Sequence, residues 1–155
     1  MMDTYNLVAP AVGEDYRGLL RAVAPLADVF GLLDKGPGTR MGESGREVLR
    51  RLGEHLLAAD AVQAWPGSRI VGTSTQNRYL FRLDEESLEV LTTAASSLFD
   101  WVWPRLPEDL HFLRADGSTV LGTVAQEDDA WLELTAAEFD VVVGRLPRGV
   151  RLERG

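Results

Sequence analysis

Two histidines, His55 and His111, are the side chains best suited to moving protons near neutral pH, because imidazole titrates closest to 7. Catalysis by either would need a nucleophile or a carboxylate brought beside it, and no local motif supplies one. His55 stands next to Leu56 and Leu57 on an expected helix, and His111 opens an expected strand ahead of Phe112. Both read as structural or exposed, although a small-molecule or catalytic site near His111 or His55 is kept as an alternative.

The other chemical signals are weaker. "GPGTRMGESG" offers backbone amides of the kind that attract anions, but no expected strand feeds it and no GK[ST] follows, so it reads as a connector. Glycine follows Ser44 directly, which rules out a G-x-S-x-G nucleophile elbow. The acidic runs Asp84-Glu85-Glu86, Glu108-Asp109 and Glu127-Asp128-Asp129 set carboxylates side by side rather than at the alternating positions of a calcium loop. Cysteine is absent, which removes disulfides, thiolate nucleophiles and Cys-based zinc sites together. No catalytic residue, metal or cofactor is assigned, and the chain is not read as an enzyme.

Tryptophan is the side chain most suited to anchoring a partner. Trp101 and Trp103 in "DWVWP" fall on one side if the segment is extended, and Trp131 points away from Leu132 and Leu134 if "AWLEL" is a strand. The competing reading covers that outer face with the N-terminal helices. Trp131, Glu127, Asp128, Asp129, Trp101 and Trp103 are therefore the candidate partner-binding residues.

The net charge of −8 repels phosphate backbones and anionic membranes, so neither nucleic acid nor membrane is expected as a partner. Fifteen of the sixteen basic residues are arginine, a bias attributed to a GC-rich bacterial genome before any phosphate-binding role. No stretch approaches the ~18 apolar residues of a membrane helix, and "MMDTYNLVAP" lacks the pattern of a signal peptide. A cytoplasmic location is expected.

Helical spacing of Tyr16, Leu19, Leu20, Val23, Ala27 and Phe30 predicts helix over residues 14–33, kinked or divided at Pro25. After the glycine-rich loop, Ser44 and Glu47 form a capping box for a helix reaching about residue 59. Then "AVQAW", "RIVGT" and "RYLFRL" read as strands, and Asp84 caps a helix through Leu88 and Leu91. "LHFLR", "TVLGTVAQ" and "AWLEL" repeat that order, and Thr135 with Glu138 caps a last helix that Pro147 stops.

These two halves nearly rhyme. At an offset of fifty, Gly67, Ser68, Gly72, Thr73 and Gln76 are identical to Gly117, Ser118, Gly122, Thr123 and Gln126. Duplication of a βββα unit and the shared demands of Gly-Ser turns explain the echo equally well. The expected fold is α+β: an antiparallel sheet of five or six strands with about four helices. It is laid out over one domain, 1–155, with a helical part at 1–60, a first βββα unit at 61–103 and a second at 104–155.

Size, acidity and aromatic residues together point to a small protein-binding module, of the kind an immunity protein or antitoxin uses to neutralise a basic toxin or enzyme. The alternative is a structural or adaptor protein whose sheet edge or apolar face forms a homodimer.

Overall fold

In the computed structural model, which describes residues 1–35 and 40–155, a single row of apolar side chains crosses six strands. Phe81, Phe30, Phe112, Leu121, Leu132 and Tyr5 stand opposite one another in register. Because successive side chains on a strand alternate between faces, this shared register sends all six to one side, where each is buried.

In chain order the elements are β1 (Asp3–Leu7), α1 (Glu14–Val23), β2 (Val29–Asp34), α2 (Glu43–Arg51), β3 (Leu56–Val62), β4 (Ala64–Trp65), β5 (Ser68–Arg69), β6 (Gln76–Arg82), α3 (Glu85–Ala94), β7 (Glu108–Leu113), β8 (Thr119–Val124), β9 (Asp129–Leu134), α4 (Ala136–Val143) and β10 (Leu152–Arg154). Eight strands form one antiparallel sheet in the order β10-β1-β9-β8-β7-β2-β6-β3, and β4 with β5 makes a separate hairpin. Among the described residues the fold is α+β with four α-helices, but the sheet is larger than the expected five or six strands.

Of the additional strands, β10 follows the last helix, and β1, β2 and most of β3 come from the part expected to be helical. Pro25 ends α1 in a 3-10 turn at Ala24–Leu26, and the chain then enters β2 rather than a second helix. Phe30, Gly31, Leu32 and Leu33 are buried on both faces of the sheet, and such a continuous apolar run is indistinguishable by periodicity from a buried helix. Likewise α2 stops at Arg51, and after the 3-10 turn Gly53–His55 the stretch "LLAADAV" becomes β3. Its leucines and alanines favour helix, but pairing with β6 overrides that preference. Residues 1–60 thus supply β1, β2 and most of β3.

The Ser44–Glu47 capping box does not form. Gly42 is the N-cap without a side-chain bond, and Glu47 is drawn instead to Arg50, three residues on. Asp84 and Thr135 do cap α3 and α4, each with a reciprocal bond from the third helical residue, Ser87 and Glu138.

Strand order also separates the two echoing halves. β7, β8 and β9 are consecutive neighbours, whereas β4 and β5 pair only with each other and β6 lies between β2 and β3. Gly72, at φ +101°, sits in the connection before β6, while Gly122 lies inside β8. The βββα duplication is therefore corrected: turn chemistry and alternating strands account for the likeness.

Buried residues of all four helices join one core with the apolar row. Within it the Tyr16 hydroxyl donates to the Leu91 carbonyl at 2.6 Å and accepts from Trp101 Nε1 at 3.0 Å, tying α1 to α3 and to the crossing before β7. Burial pushes the Tyr16 phenol well above its ordinary value. On the opposite face lies the β4–β5 hairpin rather than the N-terminal helices: Trp65 reaches Asp109, and Gly67 lies against Trp131 and Val124. Among the described residues, no helix is long and apolar enough to cross a membrane.

Candidate functional site

Antiparallel pairing brings the ends of β2, β3 and β8 and the starts of β6, β7 and β9 to one end of the sheet, as the pairs Leu33 with Glu108, Asp34 with Asn77, Val62 with Gln76 and Val124 with Asp129 show. Asp34, Glu108, Asp109, Glu127, Asp128 and Asp129 gather there. Loops at the end of a rigid sheet are where proteins commonly carry recognition, because strands fix the base of each loop while its tip stays in water.

The exposed part is the turn between β8 and β9. Ala125–Glu127 forms a 3-10 turn, Asp128 takes the left-handed conformation at φ +52°, and its N–H donates to the Ala125 carbonyl at 3.2 Å. Aspartate tolerates that region better than most side chains. Ala125 is buried while Glu127, Asp128 and Asp129 are exposed, so three carboxylates stand in solvent on an anchored base.

Beneath them lies a buried polar cluster. Between Gly31 and Leu33 the β2–β7 register slips by one residue, and Asp109 occupies the bulge at φ +56°. Its Oδ1 accepts from the Ala125 N–H at 3.0 Å and its Oδ2 from Trp65 Nε1 at 3.0 Å, latching the β4–β5 hairpin to the sheet. Burial pushes the Asp109 carboxyl up, against the pull of those two bonds. Glu108 accepts from the Trp103 N–H and from Gln126 Nε2, both at 3.1 Å, and pairs with Lys35 Nζ at 2.8 Å. The bonds to Ala125 and Gln126 hold the base of the acidic turn, and the others tie the β4–β5 hairpin, Trp103 and Lys35 to the same two carboxylates.

No family model matches the chain, and comparison with curated proteins and with solved structures gave no match. The reading of the site therefore rests on its own geometry.

The outer face behind the cluster is built from rings lying on glycines. A Cβ at Gly31 would come within 2.2 Å of His111 Nε2, and one at Gly122 within 2.3 Å of Trp131 Cζ2. Each bare glycine lets the neighbouring strand's ring lie flat across the sheet. His111 is fully buried, and its Nδ1 donates to the Asp109 carbonyl at 2.7 Å, since a carbonyl can only accept. Burial, helped by nearby Arg78, pushes its pKa down to about 4. At neutral pH the ring is uncharged and sealed from solvent.

The tryptophans part company. Trp101 is fully buried in the core. That corrects its candidacy as a partner anchor: Trp101 caps the end of the 3-10 turn Leu98–Asp100, and its ring turns inward to donate to Tyr16. Trp103 is half-buried at the acidic end, with Nε1 buried and without a hydrogen-bond partner. Trp131 is half-buried between Gly122 below and Gly67 of the hairpin above, and its Nε1 donates to Glu133 at 2.9 Å. His55, expected on the second helix, closes the 3-10 turn after α2, buried and 3.2 Å from the Asp84 carboxylate.

Lys35, Trp65, Glu108, Asp109 and Gln126 were not singled out from the sequence as one site. The available signal was the Glu108-Asp109 pair opening an apolar strand, since carboxylates in that position need partners when the strand is internal. Among the described residues, no group of histidines and carboxylates is arranged to hold a metal ion.

Proposed function

We propose that the chain is an acidic protein-binding module, of the immunity-protein or antitoxin type, which neutralises a basic partner by docking its acidic sheet end against it. The observation that carries this reading is the turn Glu127, Asp128 and Asp129: three exposed carboxylates held on buried, hydrogen-bonded supports at Ala125, Asp109 and Glu108. A preformed acidic projection on a chain of net charge −8 steers encounter with a basic surface and loses little entropy when it docks.

The test compares wild type with the triple variant Glu127→Gln, Asp128→Asn, Asp129→Asn, in which asparagine keeps the left-handed position accessible. Partner is captured from source-cell extract, and association is timed at low and high salt. The variant should associate about 10-fold or more slowly at low salt, with the gap closing as salt screens the field. Equal rates at low salt would remove the acidic turn from binding.

A further inference from the structure

We propose that the outer face of the sheet binds a small aromatic carboxylate, held by Arg78 in a trough beside the β4–β5 hairpin. The trough has a volume of about 480 Å3, within the range of small-molecule sites. It lies over the start of β2 and the end of β7, toward the end of the sheet remote from the acidic turn, and is separate from the surface proposed to dock a protein.

The floor follows from register. Val29 pairs with Leu113, and Gly31, two residues further along β2, pairs with Leu80. Paired residues share a face and alternate residues return to it, so Val29, Leu80, Leu113 and Arg78 all stand on the outer side. Trp65 of the hairpin forms a wall. Its N–H is already given to Asp109, so what it offers a ligand is the apolar surface of the ring.

Arg78 decides what that ligand is. It is half-buried, and its Nε is buried without a partner. Burial is the largest influence on the guanidinium and pulls its pKa down, while the attraction of Asp60, opposite it on β3, works the other way without forming an ion pair. A partly desolvated cation with no counter-ion is a cost that a bound anion would offset. The other arginine lining the trough, Arg114, is already satisfied by Glu138, Ser118 and the Thr119 and Glu133 carbonyls. Near the rim, Asp28 accepts from the Ala115 N–H and Asp116 from Ser118. Among the described residues lining the trough, Arg78 is therefore the cation left to fill.

One planar guanidinium matches one carboxylate. A phosphate dianion would bring a second charge with nothing to neutralise it, close to Asp60 and on a chain of net charge −8. The apolar floor and the indole wall favour a flat ring as the rest of the molecule.

The experiment titrates the full chain with benzoate, benzyl alcohol and phenyl phosphate, following heat and amide chemical shifts; it needs no protein partner, so its outcome is independent of the acidic turn. Benzoate should bind one to one and move the amides of Val29, Leu80 and Leu113, with the alcohol and the phosphate ester each about 10-fold weaker or more. Arg78→Met keeps the apolar stem and removes the charge, so it should weaken benzoate about 10-fold and leave the alcohol unchanged. Ala115→Trp, at an exposed position on the rim, should obstruct the trough and weaken both ligands while leaving Arg78 in place. Urea unfolding confirms that each variant is folded before it is titrated. No saturable binding of benzoate at millimolar concentration, equal affinity for acid and alcohol, tighter binding of the phosphate ester, or shifts lying away from the trough would overturn the proposal. So would a folded Arg78→Met variant that binds benzoate as wild type does.

Discussion

Replacing His111 with asparagine should flatten the acid limb of the stability curve. The ring is fully buried and neutral, and burial is the largest reason its pKa falls from 6.5 to about 4, with the positive charge of Arg78 second to it in the same direction and the bond to Asp109 opposing. In the unfolded chain the imidazole takes up a proton near 6.5, so between 6.5 and 4 the unfolded state binds more protons than the folded one. Stability must then rise with pH through that window, be complete above it, and be lost as pH falls toward 4. A displacement from 6.5 to about 4 corresponds to about 3 kcal/mol at 1.36 kcal/mol per pH unit.

Asparagine places an amide nitrogen close to the position of Nδ1, retaining a donor for the Asp109 carbonyl while removing the titration. The lost ring atoms impose a roughly constant penalty, which drops out when only the slope is compared. Urea unfolding of both proteins from neutral pH down to about 4 provides the readout. Asp109, whose carboxyl is raised by burial, acts in the opposite sense, since the folded state there holds its proton more readily. It is present in both proteins, so the difference between the curves isolates the histidine. Wild type and variant should differ by an amount that changes by about 3 kcal/mol across the window; parallel curves would refute the sealed, neutral ring.

Leu134, fully buried at the end of β9, should cost about 2–5 kcal/mol when truncated to alanine, measured by urea unfolding. A Gly122→Ala variant places a methyl 2.3 Å from Trp131 Cζ2 and should cost about 1–3 kcal/mol as the ring is forced off the sheet, with a red shift in tryptophan emission as the second readout.

Local rules were legible wherever a short stretch both encodes and satisfies its own structure. Asp84 declares its helix start as an N-cap ahead of Glu85 and Glu86, Thr135 does so through Glu138 three positions on, and the alternation of Phe81, Leu132 and Leu134 marks the core face of β6 and β9. The errors fell where tertiary pairing decides. β2 is apolar on both faces because helices lie on one side and the β4–β5 hairpin on the other, and nothing within residues 29–34 reveals that second cover. β3 reads as helix until β6 is placed beside it.

The same distinction divides the candidate site. Glu127, Asp128 and Asp129 are adjacent, and a turn between two strands exposes adjacent charged residues whatever the rest of the fold does. Their support is different in kind: Lys35 and Gln126 meet on Glu108, while Trp65 and the Ala125 N–H meet on Asp109, which a one-residue slip between β2 and β7 leaves in a left-handed backbone. No spacing along the chain signals such a slip. Its consequence is nevertheless what gives the acidic turn its value, since carboxylates on a loose loop would lose on ordering much of what they gain in contact. Binding by this end of the sheet should accordingly depend on the Trp65–Asp109 latch as well as on the charges themselves: Trp65→Phe, which removes the donor to Asp109, should slow association at low salt, and an unchanged rate would take the latch out of the binding mechanism.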